Sequence, residues 1–279
     1  MSKRNLILFF VLVLIILITI SCTRSISKDA ELPLPDRKDI GMNIIDSERN
    51  IKFFSAHNQD EIFKLEDTIE EKYENALTMG GLGEVEYIEE SSNFQVRDNS
   101  INYIDENGKT IVKDVKGVMI NPPEASIKDA YYHMSHYLNE EDVLFILLDG
   151  FGYHQYEYAI KNEYLPYLGK QVKATKALSV YKPVTNAGLA AMITGKHPIE
   201  NGVYSRKQRE LNVDSIFKFV EDLDKKAIYI EGNIGILKTE IEPVLNLDSN
   251  GDGFTDDEVY KSTMNAIDKD YNFIFTHFH

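Results

Sequence analysis

The chain has 279 residues and a formal net charge of −15. So acidic a surface repels nucleic-acid backbones, which excludes polymer binding through a basic patch from the expected functions. At 43% hydrophobic and 27% charged residues, the composition is that of a globular protein and not of a disordered one.

At the N-terminus, Lys3 and Arg4 precede an apolar run over residues 6–20, followed by Ser21 and Cys22. The run suits a signal-peptide core and falls short of the roughly 18–20 residues of a spanning helix. Cys22 is the single cysteine. Its place directly after a small residue resembles a bacterial lipobox, which implies lipidation at Cys22, although Thr19 stands where such boxes carry Leu. The alternative is an uncleaved signal anchor. Both predict an exported cell-envelope protein, on the outer face of a bacterial membrane or in the periplasm. Both also predict a fold without a disulfide. Residues 1–22 are thus the signal segment, and the polar stretch 23–42, with Pro33 and Pro35, is a tether.

Residues 43–125 read as a small α+β region. Alternating segments at 100–104 and 110–114 flank Glu106-Asn107-Gly108 and predict a β-hairpin. Residues 67–77 are expected to be helical. Gly80-Gly81-Leu82-Gly83 lacks the Lys-Ser/Thr that follows a phosphate loop and reads as a plain turn.

After Pro122-Pro123 the pattern changes to alternating helices and strands over 126–279. Helices are predicted at 126–138, after Thr185, at 214–223 and at 256–267. Strands are predicted at 143–148, 177–181, 227–230 and 273–278. This alternation implies an α/β domain with a mostly parallel sheet and helices on both faces. The unbroken apolar run at 143–148 predicts a central strand covered on both sides.

That strand ends in Asp149-Gly150-Phe151-Gly152. Ligands gather at the carboxyl ends of parallel strands, so Asp149 is delivered to the functional edge; the alternative is a carboxylate that caps the next helix. Thr185 follows a strand and precedes an apolar helix. Its hydroxyl serves there either as an N-cap or as a nucleophile at a helix end that stabilises phosphoryl charge. No His lies close by in sequence, and the Gly-x-Ser-x-Gly elbow is absent. Metal activation of the hydroxyl is the more consistent choice, with Asp149 as a ligand.

The segments FILLDGFG, KPVTNAGLAAMITGKHPIENGV and KKAIYIEGN, in this order, resemble the alkaline phosphatase superfamily. The branch they are most similar to is the type I phosphodiesterase/nucleotide pyrophosphatase family. The resemblance spans about 142–279 and implies an alkaline-phosphatase-like fold. It implies a metal-dependent hydrolase of small phosphoesters, of phosphodiester or nucleotide pyrophosphate type. Two divalent cations, Zn2+ by family pattern, are implied, with Asp149 as a ligand and Thr185 as nucleophile and ligand. The family's nucleophile stands nine residues before the Thr of a Thr-Gly pair, here Thr194-Gly195. A family Asn three residues after the nucleophile is replaced by Gly188, which makes neighbouring Asn186 the substrate-binding candidate. The remaining family ligands follow a strand similar to YNFIFTHFH, where this sequence ends, so a truncated chain is expected. The alternative function is a truncated, inactive surface lipoprotein of the same fold. His277 and His279 alternate to one face of that strand, as ligands or as structural residues.

Asp248, Asn250 and Asp252, followed by Gly253, match the opening of a calcium loop, although position 12 is Val259 and Glu258 comes one residue early. The competing reading is a turn leading into an acidic helix N-terminus.

Overall fold

The computed structural model describes residues 40–56, 58–90 and 92–279. The expected signal segment, Cys22 and residues 23–39 of the expected tether lie outside them. Residues 40–42, the expected end of the tether, belong instead to the first strand. Among the described residues no helix is long and apolar enough to cross a membrane.

The first part is made of strands: β1 (Ile40–Ile45), β2 (Ile51–Ala56), β3 (Ile62–Phe63), β4 (Ala76–Gly80), β5 (Val85–Tyr87), β6 (Asn93–Arg97), β7 (Ser100–Ile104), β8 (Thr110–Val112) and β9 (Val115–Ile120). They form a five-stranded sheet, β2-β1-β9-β4-β5, and a four-stranded sheet, β3-β6-β7-β8. In β6, buried Phe94 and Val96 alternate with half-buried neighbours, the period-two pattern of a strand with one face inward. These side chains share one core with Met42, Ile44, Tyr103 and Val118. The hairpin around Gly108 forms as expected, with Tyr103 opposite Val112.

Residues 67–77 are not a helix, and the expected α+β character gives way to β structure with one 3-10 turn, Leu65–Asp67. Asp67 accepts the Lys64 N–H at 2.9 Å and closes that turn. Beyond it, Glu70, Glu71 and Glu74 crowd like charges that weaken a helix. Ala76 and Leu77 gain more by pairing with Ile120 and Met119, where both are buried. Gly80–Gly83 is the turn between β4 and β5. At Gly83, φ is +83°, and a Cβ there would lie 2.7 Å from Pro198 and 2.8 Å from the Tyr181 carbonyl. A side chain has no room, because this turn lies against the following segment.

The second part runs β10 (Ala125–Ser126), α1 (Asp129–Tyr137), β11 (Val143–Leu148), α2 (Tyr153–Lys161), α3 (Leu168–Gln171), β12 (Ala177–Leu178), α4 (Thr185–Thr194), α5 (Pro198–Asn201), α6 (Ile216–Asp222), β13 (Ala227–Glu231), β14 (Val244–Leu245), α7 (Asp256–Ile267) and β15 (Phe273–Phe278). It is an α/β arrangement around a parallel sheet ordered β11-β15-β13-β14. One face packs Phe273, Phe275 and Tyr229 on Met134, Leu189 and Phe217 from α1, α4 and α6. The other packs Ile230 and Ile274 on Val259 and Ala266 of α7. Gly195 ends α4 in the left-handed conformation, φ +67°, which explains the glycine of the Thr-Gly pair.

One expectation for this sheet fails. Among the described residues β11 is its edge strand, covered on one face only, with Leu144, Ile146 and Leu148 between 43% and 52% exposed. An apolar run reports affinity for a covered position and does not by itself supply the cover.

Candidate active site and metal centre

Strand register decides what meets at the carboxyl edge of the sheet. Leu148 pairs with Phe278, so Asp149 and His279 emerge side by side one residue later. Ile230 pairs with Thr276, which sets Glu231 opposite His277. Side chains two apart on a strand share a face. His277 and His279 therefore point the same way, between Asp149 and Glu231.

Asp149 extends the ladder by donating its N–H to the Phe278 carbonyl at 2.9 Å. Gly150, at φ +70°, then turns the chain, and its N–H donates to Asp149 Oδ1 at 2.9 Å. The other carboxylate oxygen, Oδ2, accepts the Thr185 hydroxyl at 2.9 Å. Asp149 does not cap the next helix: the N-cap of α2 is Gly152. Nor does Thr185 cap α4. It is the first helical residue, the N-cap is Val184, and no side chain caps that end. With both capping roles set aside, the Thr185–Asp149 bond is what holds this hydroxyl. The unpaired N–H groups of the first turn of α4 lie next to it.

Both residues line a cavity of about 840 Å³, with Phe151, Tyr153, Tyr156, Gly188 and Arg206 among its walls. Its aromatic wall comes from the turn after β11 and from α2. A Cβ on Gly188 would meet only Ile127 Cδ1, at 3.8 Å, so there is open space at this position. Asn186 does not fill it. It is buried, and its amide donates to the carbonyls of Gln208 (3.0 Å) and Ile236 (3.3 Å). The helical turn directs residue 186 into the body of the protein and residues 185 and 188 toward the cavity, which corrects the expected substrate contact.

On the far side of Asp149, one ligand atom from each of Asp149, His277 and His279 lies within 4.8 Å of the others. His279 Nδ1 stands 4.0 Å from Asp149 Oδ2. Glu231, fully buried, accepts from His277 Nδ1 at 3.0 Å and from His279 Nε2 at 3.3 Å, both on Oε2. Its Oε1 accepts the Tyr229 hydroxyl. Burial alone lifts the Glu231 carboxyl, but the hydrogen bonds from the two histidines outweigh it and hold the group below the ordinary carboxylate range. The hydrogen bond to Glu231 in turn raises His279. Sequence reasoning noted the two histidines as a pair but assigned Glu231 nothing. Its one signal was its position as the last residue of an apolar strand.

At the expected calcium loop, the oxygens turn inward. Asp248 accepts the N–H groups of Gly251 (2.6 Å) and Gly253 (2.9 Å), Asn250 that of Asp252 (2.8 Å), and Asp252 that of Phe254 (2.9 Å). Asp256, Asp257 and Glu258 form the first turn of α7, where the helix end favours them.

The chain matches no family model, no curated protein and no solved structure.

Proposed function

We propose that this chain carries the reacting centre of a metal-dependent phosphoester hydrolase of alkaline-phosphatase type, with Thr185 as the nucleophile. The observation that carries the reading is the 2.9 Å bond from the Thr185 hydroxyl to Asp149 Oδ2, at the wall of the large cavity. That bond turns the hydroxyl proton onto the carboxylate and leaves the oxygen lone pairs free for an incoming phosphorus. Attack forms the Thr185 Oγ1–P bond and breaks the bond from phosphorus to the leaving alcohol or phosphate. Water then cleaves the phosphothreonine. The N–H groups at the start of α4 and the Arg206 guanidinium receive the charge on the phosphoryl oxygens. Phe151, Tyr153 and Tyr156 line the cavity and suit an aromatic leaving group, which favours nucleotide-type diesters and pyrophosphates.

The motif resemblance to the alkaline phosphatase superfamily implies two divalent cations. Asp149, His277 and His279 fit one of them, by their convergence and by a buried His277 Nε2 that has no protein partner. Among the described residues no second such group is found. When bound by these residues, a divalent cation would supply Lewis-acid charge to the reaction.

The test is turnover of bis(4-nitrophenyl) phosphate by the zinc-loaded full chain. Thr185→Ala should lower kcat by about 10³-fold or more, since little beyond binding survives the loss of a covalent nucleophile. A variant within tenfold of the parent, or a parent that does not turn over, refutes the proposal.

A further inference from the structure

Glu231 is a carboxylate with no solvent exposure, a costly position unless its oxygens accept hydrogen bonds. Tyr229, His277 and His279 donate three. An ionised carboxylate only accepts, so each imidazole must donate through the nitrogen that faces it. This fixes both tautomers: the proton is on Nδ1 of His277 and on Nε2 of His279.

One bare nitrogen per ring is left over. His279 Nδ1 faces Asp149 Oδ2 at 4.0 Å. His277 Nε2 is buried and finds no partner. Buried polar atoms without a partner are rare and call for one. A cation supplies that partner: one ligand atom from each of the two imidazoles and the Asp149 carboxylate lies within 4.8 Å of the others.

We infer that Asp149, His277 and His279 bind a single divalent cation of the zinc class, and that Glu231 is the positioning residue that presets both rings for it. Two nitrogens and one oxygen are a borderline-soft set that suits zinc over calcium or magnesium. Three protein ligands leave a coordination position open, as in catalytic and not structural sites. A carboxylate behind a ligating histidine is the usual device for fixing ring orientation and raising ligand basicity; here one carboxylate serves two rings. The inference adds ligands to the centre proposed above, but it does not require Thr185 to be a nucleophile.

The test is zinc titration of the EDTA-stripped full chain by calorimetry, with cobalt(II) absorption as a second readout. One zinc per chain is expected. His279→Ala, at a partly exposed position, should weaken binding about 100-fold, and Glu231→Gln about 10–100-fold, with altered cobalt bands. One zinc per chain, weakened by His279→Ala, in a chain that turns over no phosphodiester would keep this site and refute only the nucleophile, which separates the two claims. His277→Ala is read only if its circular dichroism matches the parent; His279→Ala decides in either case. Absence of zinc binding, or binding indifferent to His279→Ala, overturns the site. Affinity unchanged in Glu231→Gln overturns the positioning role.

Discussion

Replacing Glu231 with leucine in the metal-free protein sets two physical effects against each other. The substitution removes the acceptor from Tyr229 and His277, which are 1% and 0% exposed, and from the partly exposed His279. His279 can turn to water; the other two are stranded. Each stranded buried donor costs about 1–3 kcal/mol, or about 2–6 kcal/mol for the pair. Against this, the variant no longer desolvates a carboxylate, a change that in other proteins stabilises by about 1–4 kcal/mol when the partners are replaced as well. Here the partners stay, so only part of that gain is realised and a net loss of about 1–4 kcal/mol is expected. For a unit of this size, at about 2–4 °C per kcal/mol, that is a fall in Tm of roughly 2–16 °C. Glu231→Gln keeps one acceptor oxygen and should fall between the two. Thermal melts followed by circular dichroism in EDTA give the order parent, Gln, Leu. A leucine variant as stable as the parent would show that the buried network carries no net stabilisation and that Glu231 is not held as a hydrogen-bonded anion.

Three further outcomes follow from the geometry. Phe275 stacks on Phe145 at a ring-centroid distance of 5.0 Å and meets Tyr229 edge to face at 5.2 Å, so Phe275→Ala should cost about 3–5 kcal/mol in urea denaturation; a loss below 1 kcal/mol would mean the cluster is not tightly packed. Burial, then the Lys128 ammonium at 2.5 Å, depresses His197 from 6.5 to about 4, with Glu200 opposing weakly. The unfolded chain then takes up a proton between pH 6.5 and 4 that the folded one refuses, so stability is full above 6.5 and falls as pH drops toward 4. Allowing for solvent screening of this half-buried ring, the fall is about 1–2 kcal/mol, and His197→Gln should flatten it; an unchanged slope would contradict this. Arg206→Ala should raise KM for a phosphodiester about tenfold or more with a smaller change in kcat, as expected for loss of a charge-assisted contact; an unchanged KM would remove Arg206 from the site.

Local pattern made some of this legible. The apolar runs at Val143–Leu148 and Phe273–Phe278 and the amphipathic segment Asp256–Ile267 form the predicted elements to the residue. Thr185 and Asp149, selected for their places at a helix start and a strand end, meet at hydrogen-bond distance. What sequence could not carry is lateral order. The pairing of Leu147 with His277 and of Ile230 with Thr276 joins residues far apart in the chain, and these pairs create the Asp149–His279–His277–Glu231 row. The same limit explains the errors. Placing β11 at the sheet centre needed knowledge of its neighbours. Helix prediction at 67–77 lost to pairing of Ala76 and Leu77 with β9. Asn186 was one residue off the rotation that faces the cavity.

The central claim is that the Thr185 oxygen becomes bonded to phosphorus. Acid-quenched turnover of a phosphodiester by the zinc-loaded chain, followed by mass spectrometry of the peptide that contains Thr185, reads this directly. The account expects a phosphoryl group on Thr185 that disappears on longer incubation and never forms in Thr185→Ala. Turnover with that peptide unmodified, or with the phosphoryl group on another residue, would contradict it.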